Sequence, residues 1–415
     1  MGIIVQKYGG SSLSDISKLE NVANQIVHSK DEGLNVVVIV SAMGDSTDRL
    51  VQLAKSITND PDPRELDALL ATGEIVSCTL LAIILKNLGY DAISLSGYQV
   101  GIHTDEAYGN ARINLVDQER VRTELSSGRI VVIAGFQGIT DGLDITTLGR
   151  GGSDTTAVAL AAVLGADRCE VYTDVDGIYT ADPRVVPNAR KILEVGYEDM
   201  LELASMGAKM HPRSIELAAV YHVPIYVASS FNNIIGTLIH DQIKGNSMEN
   251  RYKVTGVAYQ LGISKVTVRS LPDQPGIAAN LFEPLADVGI SVDTIVQNAS
   301  QDKTTDISFT VATSDLAKTL DEVIPVAQNI GASGVVNDDG LSCVSIVGSG
   351  MQNSPGYASH MFRILADGDV NIDMITTSEI RISCIIREEQ VLEAVRLLHR
   401  GFSLDDDGQE LSDIS

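Results

Sequence analysis

Thr147–Thr156, TLGRGGSDTT, lies between one apolar run, RIVVIAGF (129–136), and a small-residue helix, AVALAAVL (157–164), that leads into a second run, CEVYT (169–173). Gly149, Gly151 and Gly152 let the backbone turn sharply and come close to a ligand, because a Cβ there would obstruct. Ser153 or Asp154 is then expected to cap the helix. A helix start leaves N–H groups unpaired and carries positive dipole, so a glycine loop feeding a capped helix can hold an anion. Arg150 adds a fixed positive fork. A tight strand-to-helix connection that binds nothing would explain the glycines and the cap, but not an arginine placed between them.

Outward from this loop the chain alternates strands and helices. IIVQK (3–7) is followed by the turn YGGSS, then by a helix with Ile16, Leu19, Val22, Ala23, Ile26 and Val27 on one stripe, then by NVVVIVS (35–41). Such a strand–helix–strand unit has parallel, buried strands. A longer helical region is predicted over Arg64–Leu88, short strands near Ala92–Leu95 and Ile130–Ala134, and a further helix near Glu198–Ala219 ahead of VPIYVAS (223–229). This alternation makes a three-layer α/β domain whose ligands sit at the carboxyl ends of its strands.

DQIKGNSMENRYK (241–253) is polar and reads as a linker. Beyond it DQPGIAANLFEPLADVGISVDTI, from Asp273, lines up without gaps with NSPGYASHMFRILADGDVNIDMI, from Asn353. Pro275/Pro355, Gly276/Gly356, Phe282/Phe362, Leu285/Leu365, Asp293/Asp373 and Ile295/Ile375 are among the coincidences. Each copy reads as a strand, a Pro-Gly turn, an amphipathic helix and two strands, a small α+β module repeated. The acidic tail, DDDGQELSDIS, reads as frayed.

A chain of 415 residues is too long for one ordinary core and implies two or three domains. Hydrophobic residues at 44% and charged ones at 20% describe a globular protein. With 30 basic against 55 acidic side chains, the formal charge of -25 argues against general binding to nucleic acid or anionic membranes, so an anionic ligand needs a local positive cluster. MGIIVQKYGG lacks the apolar core of a signal peptide, and no apolar run is read as approaching the ~20 residues that span a bilayer, which predicts a cytoplasmic protein. Cys78, Cys169, Cys343 and Cys384 are scattered in apolar segments and read as buried thiols rather than disulfides or metal ligands.

Four further motifs carry chemistry. Lys7-Tyr8-Gly9-Gly10-Ser11-Ser12 ends the first strand; successive N–H groups in its turn form an anion nest, and Lys7 can reach a transferring phosphate. TDVDGIYTADPR (173–184) follows the strand that leaves the opening helix; it reads either as a polar turn or as the contacts of a nucleoside. Lys209, in MGAKMHP (206–212), is unremarkable alone and could be a second phosphate lysine. Glu74 lies in ATGEIVS (71–77), and Ser41-Ala42-Met43-Gly44 ends the second strand with Thr47 close behind. Together, two glycine turns, two lysines, an arginine and a carboxylate compose a phosphoryl-transfer site that also recognises a charged small molecule.

These motifs, in this order over nearly the whole length, closely resemble those of the aspartate kinases of the amino acid kinase superfamily, in their single-function form with two C-terminal ACT modules. The resemblance implies a three-layer αβα catalytic domain over 1–245 with a central, mostly parallel sheet, a linker over 246–263, and ACT modules over 264–340 and 341–415, the second interleaved with the first. It implies transfer of the ATP γ-phosphate to the side-chain carboxylate of L-aspartate, giving 4-phospho-L-aspartate, the first step towards lysine, threonine and methionine. No general base is required, since the acceptor carboxylate is already ionised at neutral pH.

By the same resemblance Lys7, Tyr8, Gly9, Gly10 and Lys209 hold the phosphates, and Ser41, Thr173, Asp174, Tyr179, Asp182 and Arg184 line the nucleotide site. Arg150 clamps the α-carboxylate, Glu74 takes the ammonium group, Thr47, Gly151, Gly152 and Ser153 complete the substrate pocket, and Asp154 orients Lys7. Mg²⁺ is expected to be held through phosphate oxygens, with no protein side chain as metal ligand. An effector, lysine or threonine or both, is expected around Asp273, Gly276, Ile277, Ala278, Ile290, Ser291, Val292, Asp293, Gln297 and Asn298. In the second copy the corresponding residues are Ser354, Gly356, Tyr357, Ala358, Asn371, Ile372, Ser378 and Glu379. The ACT modules imply a homo-oligomer, and Met248 resembles the internal start from which some members make a separate regulatory subunit. Two other readings stand beside this one: a kinase of the same fold acting on glutamate or N-acetylglutamate, and a non-catalytic amino-acid sensor, which would be expected to have lost Lys7, Arg150 or Asp154. ACT modules that serve only as a dimerisation platform are the alternative to effector binding.

Overall fold

The computed structural model describes residues 2–241, 254–299, 304–351 and 355–405. They form two compact units, Met1–Tyr179 with Lys191–Asn250, and Thr180–Arg190 with Arg251–Ser415. The first unit is built on an eight-stranded sheet, in the order Glu194–Val195, Thr237–Ile239, Ile225–Ser229, Arg168–Thr173, Ile3–Tyr8, Asn35–Val40, Ile130–Ala134, Ala92–Leu95. All neighbours pair in parallel except Ile225–Ser229 with Thr237–Ile239. Parallel strands are covered on both faces, which is why NVVVIV is an unbroken apolar run rather than an alternating one.

Ile4, Val36, Val38 and Val132 face the helices Ile16–Asp31 and Thr72–Asn87, where Leu19, Val22, Ile26, Leu81 and Leu85 complete a core. Residues next to them in each strand, such as Val5 and Val37, point to the opposite face. There the helix Gly152–Leu164 packs on the first strand. The fold is therefore the expected three-layer α/β architecture.

Several expectations need correction. The helical region predicted over Arg64–Leu88 is two helices, Pro63–Leu70 and Thr72–Asn87, and the one near Glu198–Ala219 is split into Tyr197–Ser205 and Pro212–Tyr221 by the loop that carries Lys209. Pro212 favours the second break: it sits readily at the start of a helix, where its missing N–H costs nothing, and is disfavoured in a helix interior. Pro63–Asn87 is long and apolar enough by length and composition to cross a membrane, although charged residues interrupt it and no continuous apolar run of that length occurs in it. Half of its most apolar window is buried inside the fold, where Leu81 and Leu85 join the core. A second, four-stranded sheet also went unread, in the order Ile113–Val116, Ile102–Thr104, Gln137–Ile139, Ile145–Thr147. Its last strand, not the run 129–136, feeds the glycine loop.

The second unit is a six-stranded antiparallel sheet, in the order Ile295–Ala299, Thr304–Ala312, Gly256–Pro272, Gly334–Val347, Arg381–Arg387, Met374–Thr377. Its two central strands are long enough to serve both repeats. Ile263–Pro272 pairs with Thr304–Ala312, beside a core of Val266, Leu281, Leu285, Phe309 and Val323. Gly256–Gln260 pairs instead with Val347–Cys343, and Val254 and Val257 join Ile346, Met361, Leu365 and Leu398 in a second core. Gly256–Ile263, read as linker, is thus strand. Residues 246–253, Met248 among them, lie outside the described residues.

Thr180–Arg190 belongs to this second unit although it interrupts the first in sequence. The short strands Ile178–Tyr179 and Lys191–Ile192 pair antiparallel and bracket the excursion. Ala181, Val185 and Val186 enter the core that holds Val254 and Phe402. The Thr180 hydroxyl lies 2.9 Å from His399 Nε2, and the Val257 N–H donates to the Thr180 carbonyl at 2.7 Å.

Candidate active site

The first strand lies in mid-sheet, and its carboxyl end carries Lys7 and Tyr8 into Gly9 and the single 3₁₀ turn Gly10–Leu13. A Cβ on Gly10 would stand 2.8 Å from the Ala42 carbonyl oxygen, so only glycine lets this turn close against the end of the second strand. Gly44 N–H donates to the Gly10 carbonyl at 3.0 Å and joins the two turns. Lys7 Nζ lies 2.6 Å from Asp154 Oδ1, with the side chains 11% and 13% exposed. The strand and the opening helix thus present one ion pair between their tips.

Gly149 and Gly151 adopt φ of 75° and 69°, the left-handed region that other residues avoid. The helix begins at Gly152 with Gly151 as its N-cap, and no side chain caps it. The expectation that Ser153 or Asp154 would cap is therefore wrong: they lie two and three residues past the N-cap, inside the first turn, and Asp154 turns to Lys7 instead. Arg150 is exposed at the crest of the loop. Ser153 is buried beneath it, and a Cβ on Gly135 would meet its Oγ at 2.9 Å.

Glu74, in the first turn of Thr72–Asn87, is 3% exposed. Its Oε1 accepts the Ala42 N–H at 3.1 Å, while Oε2 is buried without a hydrogen-bond partner. Burial pushes its carboxyl up to about 7, against the opposing pull of the Ala42 N–H. A bare buried carboxylate oxygen is costly unless a donor or cation comes to it. Ser41 and Thr47 lie close to Ala42 in sequence and are partly buried; the Ser41 carbonyl accepts the Ser77 hydroxyl at 2.7 Å.

Lys209 Nζ pairs with Asp174 Oδ1 at 2.8 Å, and holds that carboxyl below its ordinary range. Thr173 donates its hydroxyl to the same Oδ1 at 3.0 Å, and Tyr179 is partly buried nearby in the chain. Asp182 and Arg184 belong to the second unit. They fall in Thr180–Arg190, where the Arg184 guanidinium is forked on Asp182 and the Tyr259 hydroxyl donates to Asp182 at 3.4 Å, all within the second unit.

In the first repeat Asp273, Gly276 and Ala278 are exposed around the start of the helix Ile277–Asp287, while Ile277 and Val292 are partly buried and Ile290 is buried. Ser291, Asp293 and Gln297 are exposed, the last on the edge strand with Asn298. In the second repeat Gly356 caps Tyr357–Asp367, with Ala358 and Ile372 partly buried and Asn371, Ser378 and Glu379 exposed. Tyr357 is 4% exposed and stacks on Phe402 at 6.4 Å, so its ring fills the module's core instead of lining a pocket. Ser354 lies outside the described residues.

Three side chains escaped the sequence reading. Ser230, after the strand Ile225–Ser229, shares a buried 2.7 Å hydrogen bond with Ser12 of the first turn. Asp67 and Arg213 both bond to the backbone at the foot of the glycine loop. A polar residue next to a strand end was the available signal for Ser230. Neither Asp67 nor Arg213 stands in a glycine turn, so spacing alone did not mark them.

The chain matches the amino acid kinase family over residues 2–229 and the ACT domain over 266–323 and 344–402. It is 49% identical over 405 residues to an aspartokinase of Geobacillus stearothermophilus, covering 97% of this chain and 98% of that one. The chain belongs to the aspartokinase family. Aspartokinase III of Escherichia coli, solved in complex with aspartate and ADP, superposes with a TM-score of 0.81 at 26% identity, covering 96% of this chain and 99% of that one. Its complex with lysine and aspartate, in the T-state, gives 0.75 at the same identity, covering 96% and 99%. The reaction is accordingly transfer of the ATP γ-phosphate to the side-chain carboxylate of L-aspartate, under feedback control through ACT domains. Neither the other-acid kinase nor the non-catalytic sensor is favoured.

Proposed function

We propose that the strand ends of the first unit divide this reaction between a phosphate side and an amino-acid side. Lys7 and the N–H groups of Gly9 and Gly10 cradle the β- and γ-phosphates, with Lys209 as a second cation, and Ser41, Thr173, Asp174 and Tyr179 line the nucleotide. Arg150 binds the α-carboxylate as a two-pronged donor, and the free Oε2 of Glu74 receives the α-ammonium group, with Thr47 and Ser153 beside them. That buried oxygen without a partner is the observation that carries the reading.

As an oxygen of the aspartate side chain bonds to the γ-phosphorus, the bond from that phosphorus to the bridging oxygen breaks and ADP leaves. Lys7, held by Asp154, offsets the charge spread over the γ-phosphoryl oxygens. Among the described residues no cluster of His, Cys, Asp or Glu is arranged to hold a metal ion. Mg²⁺ carried on the phosphate oxygens of ATP would supply further charge neutralisation beside Lys7 and Lys209.

The second unit is read as the effector-binding and oligomerising part, with lysine or threonine bound in the first repeat around Gly276, Asp293 and Gln297. The lysine complex of the Escherichia coli relative supports lysine. A cytoplasmic location and a separate regulatory subunit begun at Met248 complete the proposal.

Hydroxylamine trapping of the acyl phosphate tests the amino-acid side. Succinate lacks the ammonium group and 3-aminopropanoate lacks the α-carboxylate, so each is expected to give far less hydroxamate than L-aspartate. Equal yields from all three would sink the assignment of Glu74 and Arg150.

A further inference from the structure

Asp67 lies on Pro63–Leu70 and is 1% exposed, and the partners its carboxylate has among the described residues are donors of the main chain and one hydroxyl. Oδ2 accepts the N–H of Thr147 at 2.7 Å and that of Gly109 at 2.9 Å, and Oδ1 accepts the Thr147 hydroxyl at 2.7 Å. Arg213, from Pro212–Tyr221, works the same seam from the other side. Its Nη1 donates to the Leu148 carbonyl at 2.9 Å and its Nη2 to the Ala111 carbonyl at 2.7 Å. Between them the Ala111 N–H donates to the Thr147 carbonyl at 2.9 Å. The turn at 109–111 is thereby stitched to the two residues that precede Gly149. That turn is also what Gly149 leans on, since a Cβ there would meet Asn110 Oδ1 at 2.9 Å and the Gly109 carbonyl at 3.1 Å.

Ala71, the one residue between the two helices, keeps a right-handed helical conformation, so Asp67 and Glu74 stand roughly two turns apart on one arm. One end of this arm grips the root of the loop that carries Arg150, and the other offers Glu74 Oε2. Buried carboxylates with all their bonds made hold backbone rigidly, and a buried amide in place of one oxygen would confront a donor with a donor.

We infer that Asp67 is a positioning residue that fixes the separation of Arg150 from Glu74, and so selects a substrate carrying an α-carboxylate and an α-ammonium group at that spacing. This rests on the roles proposed above for Arg150 and Glu74. Arg213 serves the same end from the opposite side of the seam.

The test is a cycle of variants in the full chain, Asp67→Asn, Arg150→Ala and the two combined, with aspartate and ATP kinetics. Asp67→Asn is expected to raise the aspartate KM roughly tenfold to a hundredfold and to leave the ATP KM within about twofold. Turnover of 3-aminopropanoate, which has no α-carboxylate to misplace, is expected to stay near that of the parent enzyme. In the Arg150→Ala background the Asp67 change is expected to add nothing. Thr147→Val removes only the hydroxyl bond, keeps the shape, and is expected to move the aspartate KM in the same direction by less; it carries the test if Asp67→Asn does not fold. Additive effects, or equal losses for both substrates, overturn the inference while leaving the site intact. An Arg150→Ala enzyme with unchanged aspartate KM overturns the underlying site instead.

Discussion

Lys7 and Asp154, far apart in sequence, meet in a 2.6 Å ion pair that little water reaches. A pair this enclosed binds the lysine in one place, whereas an exposed lysine samples many rotamers. Asp154→Asn is expected to lower kcat about a hundredfold with a small change in aspartate KM, because Lys7 loses its aim at the γ-phosphoryl group. Steady-state kinetics check it, and a kcat near that of the parent would show that Lys7 needs no orienting.

The role proposed for Glu74 would link substrate affinity to pH. With its carboxyl near 7, it is neutral below that pH and would pair with an ammonium group only above it. The aspartate KM is expected to rise about tenfold per pH unit below 7 and to level off above. Stability runs the other way. The folded form holds the Glu74 proton more tightly than the unfolded form, whose value is near 4.5, so this contribution is complete below 4.5 and lost as pH rises through 7. Glu74→Gln is expected to be more stable than the parent at pH 8, by up to about 3 kcal/mol, and to match it near pH 4. Thermal denaturation at the two pH values decides it.

Arg150→Ala is expected to raise the aspartate KM roughly a hundredfold while ATP binding persists, since a two-pronged, charge-assisted contact is lost. Arg150→Lys should recover little of it, because a single ammonium group cannot span both carboxylate oxygens. Calorimetry with a non-hydrolysable ATP analogue separates the two sites.

Lys209 and Asp174 form a pair that is 48% and 47% exposed, too open to contribute much to folding. Lys209→Ala should therefore leave the melting temperature within a degree or two and act on the ATP KM, with an increase of about tenfold. A shift in melting temperature without a change in ATP KM would assign the lysine a structural role.

His399 is buried, and burial lowers its pKa from the ordinary 6.5. The unfolded form therefore takes up the proton first. Stability from this group is full above 6.5 and falls as pH drops below it. Calorimetric melting between pH 7 and pH 5 should show that loss, and His399→Gln should flatten it while keeping a partner for the Thr180 hydroxyl.

How far the fold could be read from the chain depended on which forces shaped each part. NVVVIV and the stripe from Ile16 to Val27 announce a parallel sheet with helices on both faces because burial dictates their periodicity. The strands of the four-stranded sheet are three or four residues long, too short for a period to show. Glycine turns at strand ends pointed to Lys7 and the loop around Arg150, whose special backbone leaves a mark in composition. The capping residue was misjudged because Asp154 had a cation to serve. Asp67 looked like any polar residue on a helix; what it grips lies on loops whose course no local pattern records.

The excursion Thr180–Arg190 bears on what happens when the chain is cut. Ala181, Val185 and Val186 fill part of a core whose remaining members all come after residue 250. A polypeptide begun at Met248, or one released by a protease acting near there, is born with a trench where that strip lies in the intact chain. A free C-terminal fragment would hold a vacancy shaped for the sequence TADPRVVPNAR.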